Sequence, residues 1–205
     1  SKKYRDRVVI AGTVHPLYLA TLRTYTDAEG IEVVVVPAGE DGRLQPDRVA
    51  ETATDDACCV IVQSPNFLGI VEDLPAIADA AHTHGALAVQ VVTEAVSLGL
   101  LHGGGAFGFD VVCGEAQSFG IAPGFGGPHL GFFACSEKNV RQMPGRLAGE
   151  SVDEDGRTRI KERYVVSAPV AGRLPRRIRA GRRIEQRLVP VVDPLPQIAQ
   201  QVEEE

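Results

Sequence analysis

From Val8 onward, short β-branched apolar runs alternate with segments whose apolar residues recur every three or four positions. Val8 to Ala11 predicts a first strand. His15-Pro16 then opens a segment, Leu17 to Glu29, in which Leu17, Ala20, Leu22 and Tyr25 fall near helical spacing. Proline suits the first helical turn because its missing N–H would have no partner there, and Gly30 predicts the stop. Ile31 to Val36 contains four consecutive valines and predicts a strand buried on both faces. Pro46-Asp47 predicts a helix running to about Thr54, and Cys58 to Gln63 the next strand. Asp73 and Pro75 supply a cap and a first-turn proline for a third helix, Ala76 to His84, which Gly85 ends. Ala86 to Val92 and Phe109 to Cys113 read as two more strands, and His129 to Cys135 is a further apolar run.

The alternation of strand and helix predicts an α/β fold, a doubly wound and mostly parallel sheet with helices on both faces. In such sheets the ligand crevice lies at the carboxyl ends of the strands. The loops there are Gly12 to His15, Gln63 to Ile70, Thr93 to Gly105 and Gly114 to Pro128, and they carry the unusual polar chemistry of the chain.

With 205 residues, 44% of them apolar, the chain can bury a full core. It has no run of the 18 or so apolar residues a membrane helix needs, and no apolar stretch of signal-peptide type behind its charged start, so a cytoplasmic location is expected. Cys58 and Cys59, Cys113 and Cys135 sit within or at the ends of apolar runs and read as strand thiols; no metal site is expected, since His82 and His84 fall on different helix faces. The net charge of −6 hides a segregation. Residues 1–156 carry −11, 157–187 carry +9, and 188–205 carry −4. That shift predicts two parts: 1–156, an α/β domain, and 157–205, an arginine-rich then acidic tail that is either β-rich or disordered. No aromatic residue follows Tyr164, so base stacking has little support and no nucleic-acid partner is expected.

The loop Gly114 to Pro128, Gly-Glu-Ala-Gln-Ser-Phe-Gly-Ile-Ala-Pro-Gly-Phe-Gly-Gly-Pro, looks like the turn that carries the cofactor lysine in pyridoxal-phosphate enzymes, yet it holds no lysine; the chain's lysines are Lys2, Lys3, Lys138 and Lys161. Five further segments stand beside it: Val-His-Pro-Leu-Tyr (14–18), Leu-Arg-Thr-Tyr (22–25), Gln-Ser-Pro-Asn-Phe-Leu-Gly-Ile-Val-Glu-Asp (63–73), Ser-Leu-Gly-Leu-Leu (97–101) and Val-Arg-Gln-Met-Pro-Gly-Arg-Leu-Ala-Gly-Glu (140–150). In this order and spacing the six segments resemble the glycine dehydrogenase (decarboxylating) family, the P-protein of the glycine cleavage system, in its N-terminal or α-type half. The resemblance covers about residues 5 to 156.

The resemblance implies a fold similar to the large domain of aspartate-aminotransferase-type pyridoxal-phosphate enzymes, here incomplete, followed by an unrelated arginine-rich segment. It implies glycine decarboxylation with transfer of the aminomethyl group to the lipoyl arm of the H-protein, in a heterotetramer with a lysine-bearing β-type subunit that holds the cofactor; pyridoxal phosphate would be the electron sink. The pyridinium-facing acid of that fold falls near Glu94, where the family usually has Asp-Pro and this chain has Glu94-Ala95. The β-type lysine position falls on Gln117 or Ser118, which can hydrogen-bond but cannot form an imine. The implied cofactor-binding residues are therefore Glu94, Gln117 and Ser118.

His15, Asn66, Gln117 and His129 are candidate cleft residues, with Glu115 beside them. Each has a plainer reading: helix opening for His15, an Asx-turn for Asn66, and loop hydrogen bonding or a capped strand end for Glu115, Gln117 and His129. Gly103-Gly104-Gly105 could form a phosphate nest, but without a convincing helix behind it reads as a flexible connection. Members of the α type also carry a long segment ahead of the His-Pro helix that supplies the phosphate-binding loop, which this chain is expected to lack. Tyr164 to Leu188 is faintly similar to the biotinyl-lipoyl-like module, without a lipoylation-type lysine. An alternative is a catalytically inactive structural or binding fragment of the same fold. A nucleotide-binding doubly wound domain lacks its Gly-x-Gly-x-x-Gly after the first strand.

Overall fold

The computed structural model describes residues 5–120, 122, 124–125, 127, 129–143, 145–152 and 158–166, the last two ranges by their backbone. The chain forms two compact units, Ser1–Val140 and Arg141–Glu205. In the first, the strands β1 (Arg7–Ala11), β2 (Glu32–Val36), β3 (Ala57–Gln63), β4 (Leu87–Val92), β5 (Val111–Glu115) and β6 (Gly131–Cys135) form one sheet in the order β2-β1-β3-β4-β5-β6. The first five are parallel and β6 runs antiparallel to β5, so the sheet is mostly parallel as its sequence pattern predicts.

The helices are α1 (Pro16–Asp27), α2 (Pro46–Thr52) and α3 (Leu74–Thr83). Right-handed crossovers lead outward from β1 to β2 and back across to β3, which sets α1 on one face and α2 and α3 on the other; α2 and α3 pack against each other. The helix signals work locally. Asp73 caps α3, its Oδ1 accepting from the Ala76 N–H at 3.2 Å, and Gly30 and Gly85 follow α1 and α3 at φ +68° and +67°, where a Cβ would be strained.

Three sequence expectations shift. The core-facing stripe of α1 is Leu19, Leu22 and Thr26, whereas Leu17 and Tyr25 are 69% and 75% exposed. The expected stripe was out of phase because Leu22 belongs to both sets of spacings. β2 is the sheet edge, and Val33, Val34 and Val35 are half-buried rather than buried on both faces. The glycine run enters a 3-10 turn, Gly104–Phe107, where an irregular connection was expected: Gly104 is buried and its N–H donates to Gln90 Oε1 at 2.6 Å, while Gly105 is exposed.

The core lies mainly between the sheet and α2 and α3, around Ile10, Leu44, Val49, Val60, Val62 and Ile77. Each such side chain contributes about 1.5–3 kcal/mol by leaving water. At the amino ends of β4 and β5, Asp110 is 1% exposed and accepts from His82 Nε2 at 2.8 Å and from the Ala88 N–H at 2.9 Å. Lys138 Nζ forms an ion pair with its Oδ1 at 2.6 Å.

In the second unit, β7 (Gly145–Val152) and β8 (Thr158–Val166) form an antiparallel pair. The arginine-rich stretch from Arg173, the rest of the module-like segment up to Leu188 and the acidic end lie outside the described residues. Among the described residues, no helix is long and apolar enough to cross a membrane.

Candidate functional site

The topological switch point falls between β1 and β3, where the chain leaves β1 toward β2 in one direction and returns to β3 in the other. The protein's own side chains close this crevice. Glu72, 4% exposed, accepts from Thr13 Oγ1 at 3.1 Å, Asn66 Nδ2 at 2.8 Å and the Leu44 N–H at 2.9 Å. The Phe67 N–H donates to Thr13 O at 2.8 Å, tying the loops after β1 and β3 together. Gln63 Oε1 accepts from the His15 N–H at 2.7 Å, and its amide donates to Pro65 O at 3.0 Å and to Thr93 Oγ1 at 3.4 Å.

Asn66 sits in this knot with its capacity in use. Its Oδ1 accepts from the Leu68 and Ile70 N–H groups, both at 3.0 Å, and its Nδ2 donates to Gly42 O and Glu72 Oε1. That is an Asx-turn with a buried amide. His15 caps α1, its Nδ1 accepting from the Leu17 N–H at 3.2 Å, so Nε2 carries the ring proton; the ring lies 5.3 Å from Tyr18 and 5.1 Å from Phe67.

The remaining candidates converge at the carboxyl ends of β4 and β5. Glu94 Oε1 accepts from the Val96 N–H at 3.1 Å, which starts the 3-10 turn Ala95–Gly99, and also from the Ser118 hydroxyl. The Ser118 hydroxyl, then the Val96 N–H, hold the Glu94 carboxyl below the usual range against a small opposing effect of burial. Glu115 Oε1 accepts from the Gln117 N–H at 2.8 Å and the Leu130 N–H at 3.0 Å, joining the two ends of the long loop. The Leu130 and Gln117 N–H groups lower its pKa. His129 Nδ1 is 3.0 Å from Gln117 Oε1 and 3.9 Å from Glu115 Oε2. With that nitrogen protonated, His129 donates to the carboxamide and leaves the Gln117 NH2 group as the outward donor. Tyr18, on α1, has its phenol pushed up by burial and then by the Glu115 charge.

Glu94, Glu115, Gln117, Ser118 and His129 thus stand in one neighbourhood on the rim, while His15 and Asn66 stand at the β1–β3 rim, with Gln63 and Thr93 between the two groups. Sequence reading missed Glu72, Gln63 and Gln90, because an isolated polar residue within or just after an apolar run carries no signal of its burial. The turn itself needs glycine at its start: a Cβ on Gly114 would stand 1.9 Å from Val92 O on the neighbouring strand.

The described residues do not fit covalent attachment of pyridoxal phosphate to this unit. Lys138 is engaged by Asp110 at the opposite end of the sheet, and Gln117 and Ser118 occupy the rim. No group of three or more His, Cys, Asp or Glu fit to hold a metal occurs among the described residues.

A family profile described as glycine cleavage system P-protein matches residues 1–163. A protein of Phenylobacterium zucineum named probable glycine dehydrogenase (decarboxylating) subunit 1 is 48% identical over 153 residues, which cover 75% of this chain and 34% of that protein. One of the same name from Anaeromyxobacter dehalogenans is 50% identical over 153 residues, again 75% and 34%. A solved structure of glycine decarboxylase (P-protein) of the glycine cleavage system, in inhibitor-bound form, superposes with a TM-score of 0.71 at 44% identity, covering 78% of this chain and 35% of that one. The chain spans about a third of the length of these relatives.

Proposed function

The chain belongs to the glycine cleavage system P-protein family, and from that premise we propose that it contributes the subunit-1 part of a glycine dehydrogenase (decarboxylating). On this reading it acts in the cytoplasm, in a heterotetramer with a β-type subunit. That partner supplies the lysine and holds pyridoxal phosphate; glycine is the substrate, and lipoylated H-protein receives the aminomethyl group. On this reading the P-protein-like part reaches into β8, which pairs with β7 across the boundary expected near residue 156.

The observation that carries the proposal is the rim at β4 and β5. The segment there that reads in sequence as a cofactor-lysine turn is held by Glu115 at Gln117 and Leu130, and it carries Gln117 and Ser118 where an amine would be needed. This chain's residues would then act by shape and by donors. Glu115 holds the Gln117 backbone N–H, His129 meets its carboxamide, Glu94 fixes Ser118, and the exposed Phe119 lies beside them as contact surface for the second subunit. A second reading, a binding module of the same fold without turnover, rests on the hydrogen-bonding capacity of Asn66 being used internally.

The test mixes pyridoxal phosphate with this chain alone and with a β-type subunit, and follows imine absorbance and glycine-dependent bicarbonate exchange. No imine is expected in the chain alone, and exchange is expected on mixing. A borohydride-trapped adduct on the unit containing the sheet overturns the proposal, and failure of exchange on mixing favours the binding module.

A further inference from the structure

The amino end of β3 brings together two side chains that a regular strand would separate. Consecutive residues of a strand point to opposite faces. Between β1 and β3, however, the register steps from Arg7 opposite Ala57 to Val8 opposite Cys59, so Cys58 has no partner residue on β1. Such a β-bulge re-aims the side chain of the extra residue. As a result Cys58 Sγ and Cys59 Sγ lie 3.8 Å apart, both half-buried.

The surroundings favour the thiolate of one member. Arg5 Nη1 donates to Ala57 O at 2.9 Å beside the pair. The hydrogen bond between the two sulfurs lowers Cys58 to about 7 against the effect of burial, with help from backbone donors and Arg5, while the same bond and burial push Cys59 up. A nucleophilic sulfur therefore stands next to one that keeps its proton.

The pair is poorly placed to close on itself. Disulfides usually span Cα separations of about 4.4–6.8 Å, whereas adjacent Cα atoms across a trans peptide are about 3.8 Å apart. The backbone of Cys59 is held by its pairing with Val8 of β1 on one side and Leu87 of β4 on the other. Insertion of a larger atom between the sulfurs removes that demand, and soft centres prefer thiolate ligands.

We propose that Cys58 and Cys59 form a dithiol site that captures a monosubstituted trivalent arsenical. Two As–O bonds break and two As–S bonds form; the two thiol protons leave with the arsenic-bound oxygens as water, and arsenic stays trivalent throughout. The site is at the amino end of β3, whereas the candidate cleft is at the carboxyl ends of the strands, so capture is separate from the proposed catalytic role. Cys113 and Cys135 do not form a rival pair. Their register sets Cys113 opposite Phe133 and Cys135 opposite Val111, and such diagonal neighbours are roughly 7–8 Å apart.

The full-length reduced chain would be treated with phenylarsine oxide and followed by native intact-mass spectrometry and thiol titration. One arsenical per chain is expected, with two thiols consumed, resistant to a monothiol and released by a 1,2-dithiol. Cys113→Ser with Cys135→Ser should behave as the parent. Cys58→Ser or Cys59→Ser should weaken retention roughly a hundredfold, since the second bond is no longer intramolecular. Equal retention by Cys58→Ser, an adduct on Cys113 or Cys135, or uptake only after unfolding in urea overturns the proposal. If a serine variant does not fold, iodoacetamide mapping of the parent chain decides: protection of both Cys58 and Cys59 by the arsenical supports the site, and protection of neither removes it.

Discussion

Replacing Glu72 by alanine removes the acceptor shared by its own loop and two segments far from it in sequence. Its carboxylate receives the Leu44 N–H, the Asn66 amide and the Thr13 hydroxyl, from residues 28, 6 and 59 positions away. Thr13 can rotate its hydroxyl toward another acceptor, and Asn66 keeps its bond to Gly42 O, but the Leu44 N–H and one Asn66 hydrogen are left buried without a partner. At about 1–3 kcal/mol for each stranded donor, the loss lies between about 2 and 6 kcal/mol. Glu72 also lines a cavity of about 270 Å³ with Ser64, Gln90, Leu98 and Phe107. Water entering there can satisfy part of the deficit, which places the expectation at the lower end, about 3 kcal/mol. Glu72→Gln keeps one acceptor oxygen and should lose roughly half as much. Against the 5–15 kcal/mol typical of a folded domain these are large changes, readable by urea unfolding followed by far-UV circular dichroism. Amide exchange at Leu44 should accelerate in both variants. An alanine variant within about 0.5 kcal/mol of the parent, with Leu44 exchange unchanged, would refute the account of the knot.

Two further outcomes follow from other buried contacts. Burial raises the Asp110 pKa, but the Lys138 ammonium, His82 and the Ala88 N–H outweigh it and hold the group below the usual carboxylate range. Its contribution is therefore complete above the unfolded value of about 3.9 and is lost as pH falls through the lower folded value, so urea midpoints should drop steeply in acid, and Asp110→Asn should begin lower near neutrality and drop less. Gly114→Ala sets a methyl group 1.9 Å from Val92 O, a backbone atom of the paired strand; the β4–β5 ladder must open there, with a cost of at least about 3 kcal/mol or failure to accumulate as folded protein, and a melting curve like the parent's would contradict the register.

The chain's own pattern located most of the site's framework. Proline at α1 and α3, the Asp73 cap and glycines 30 and 85 act through bonds spanning one turn, so they are visible in a short window of sequence. The rim loops were equally visible, because α/β topology sends them to the carboxyl ends of the strands. What each loop residue does was not. Asn66 could be a ring-facing amide or an Asx-turn until its four partners were in place, and Gln117 was only a missing lysine until His129 and Glu115 stood beside it.

By itself, then, the sequence determined the order of elements, the parallel α/β class, the family and the absence of a lysine from the critical turn, all of which depend on residue type and local spacing. Tertiary structure decided that the valine run forms an edge strand, that α1 turns Leu19 and Leu22 inward, that the switch-point crevice is filled by Glu72, and that a bulge brings Cys58 to Cys59. Each of these depends on which strand lies alongside which, and the pairings join residues tens of positions apart, where a linear pattern carries no record of distance.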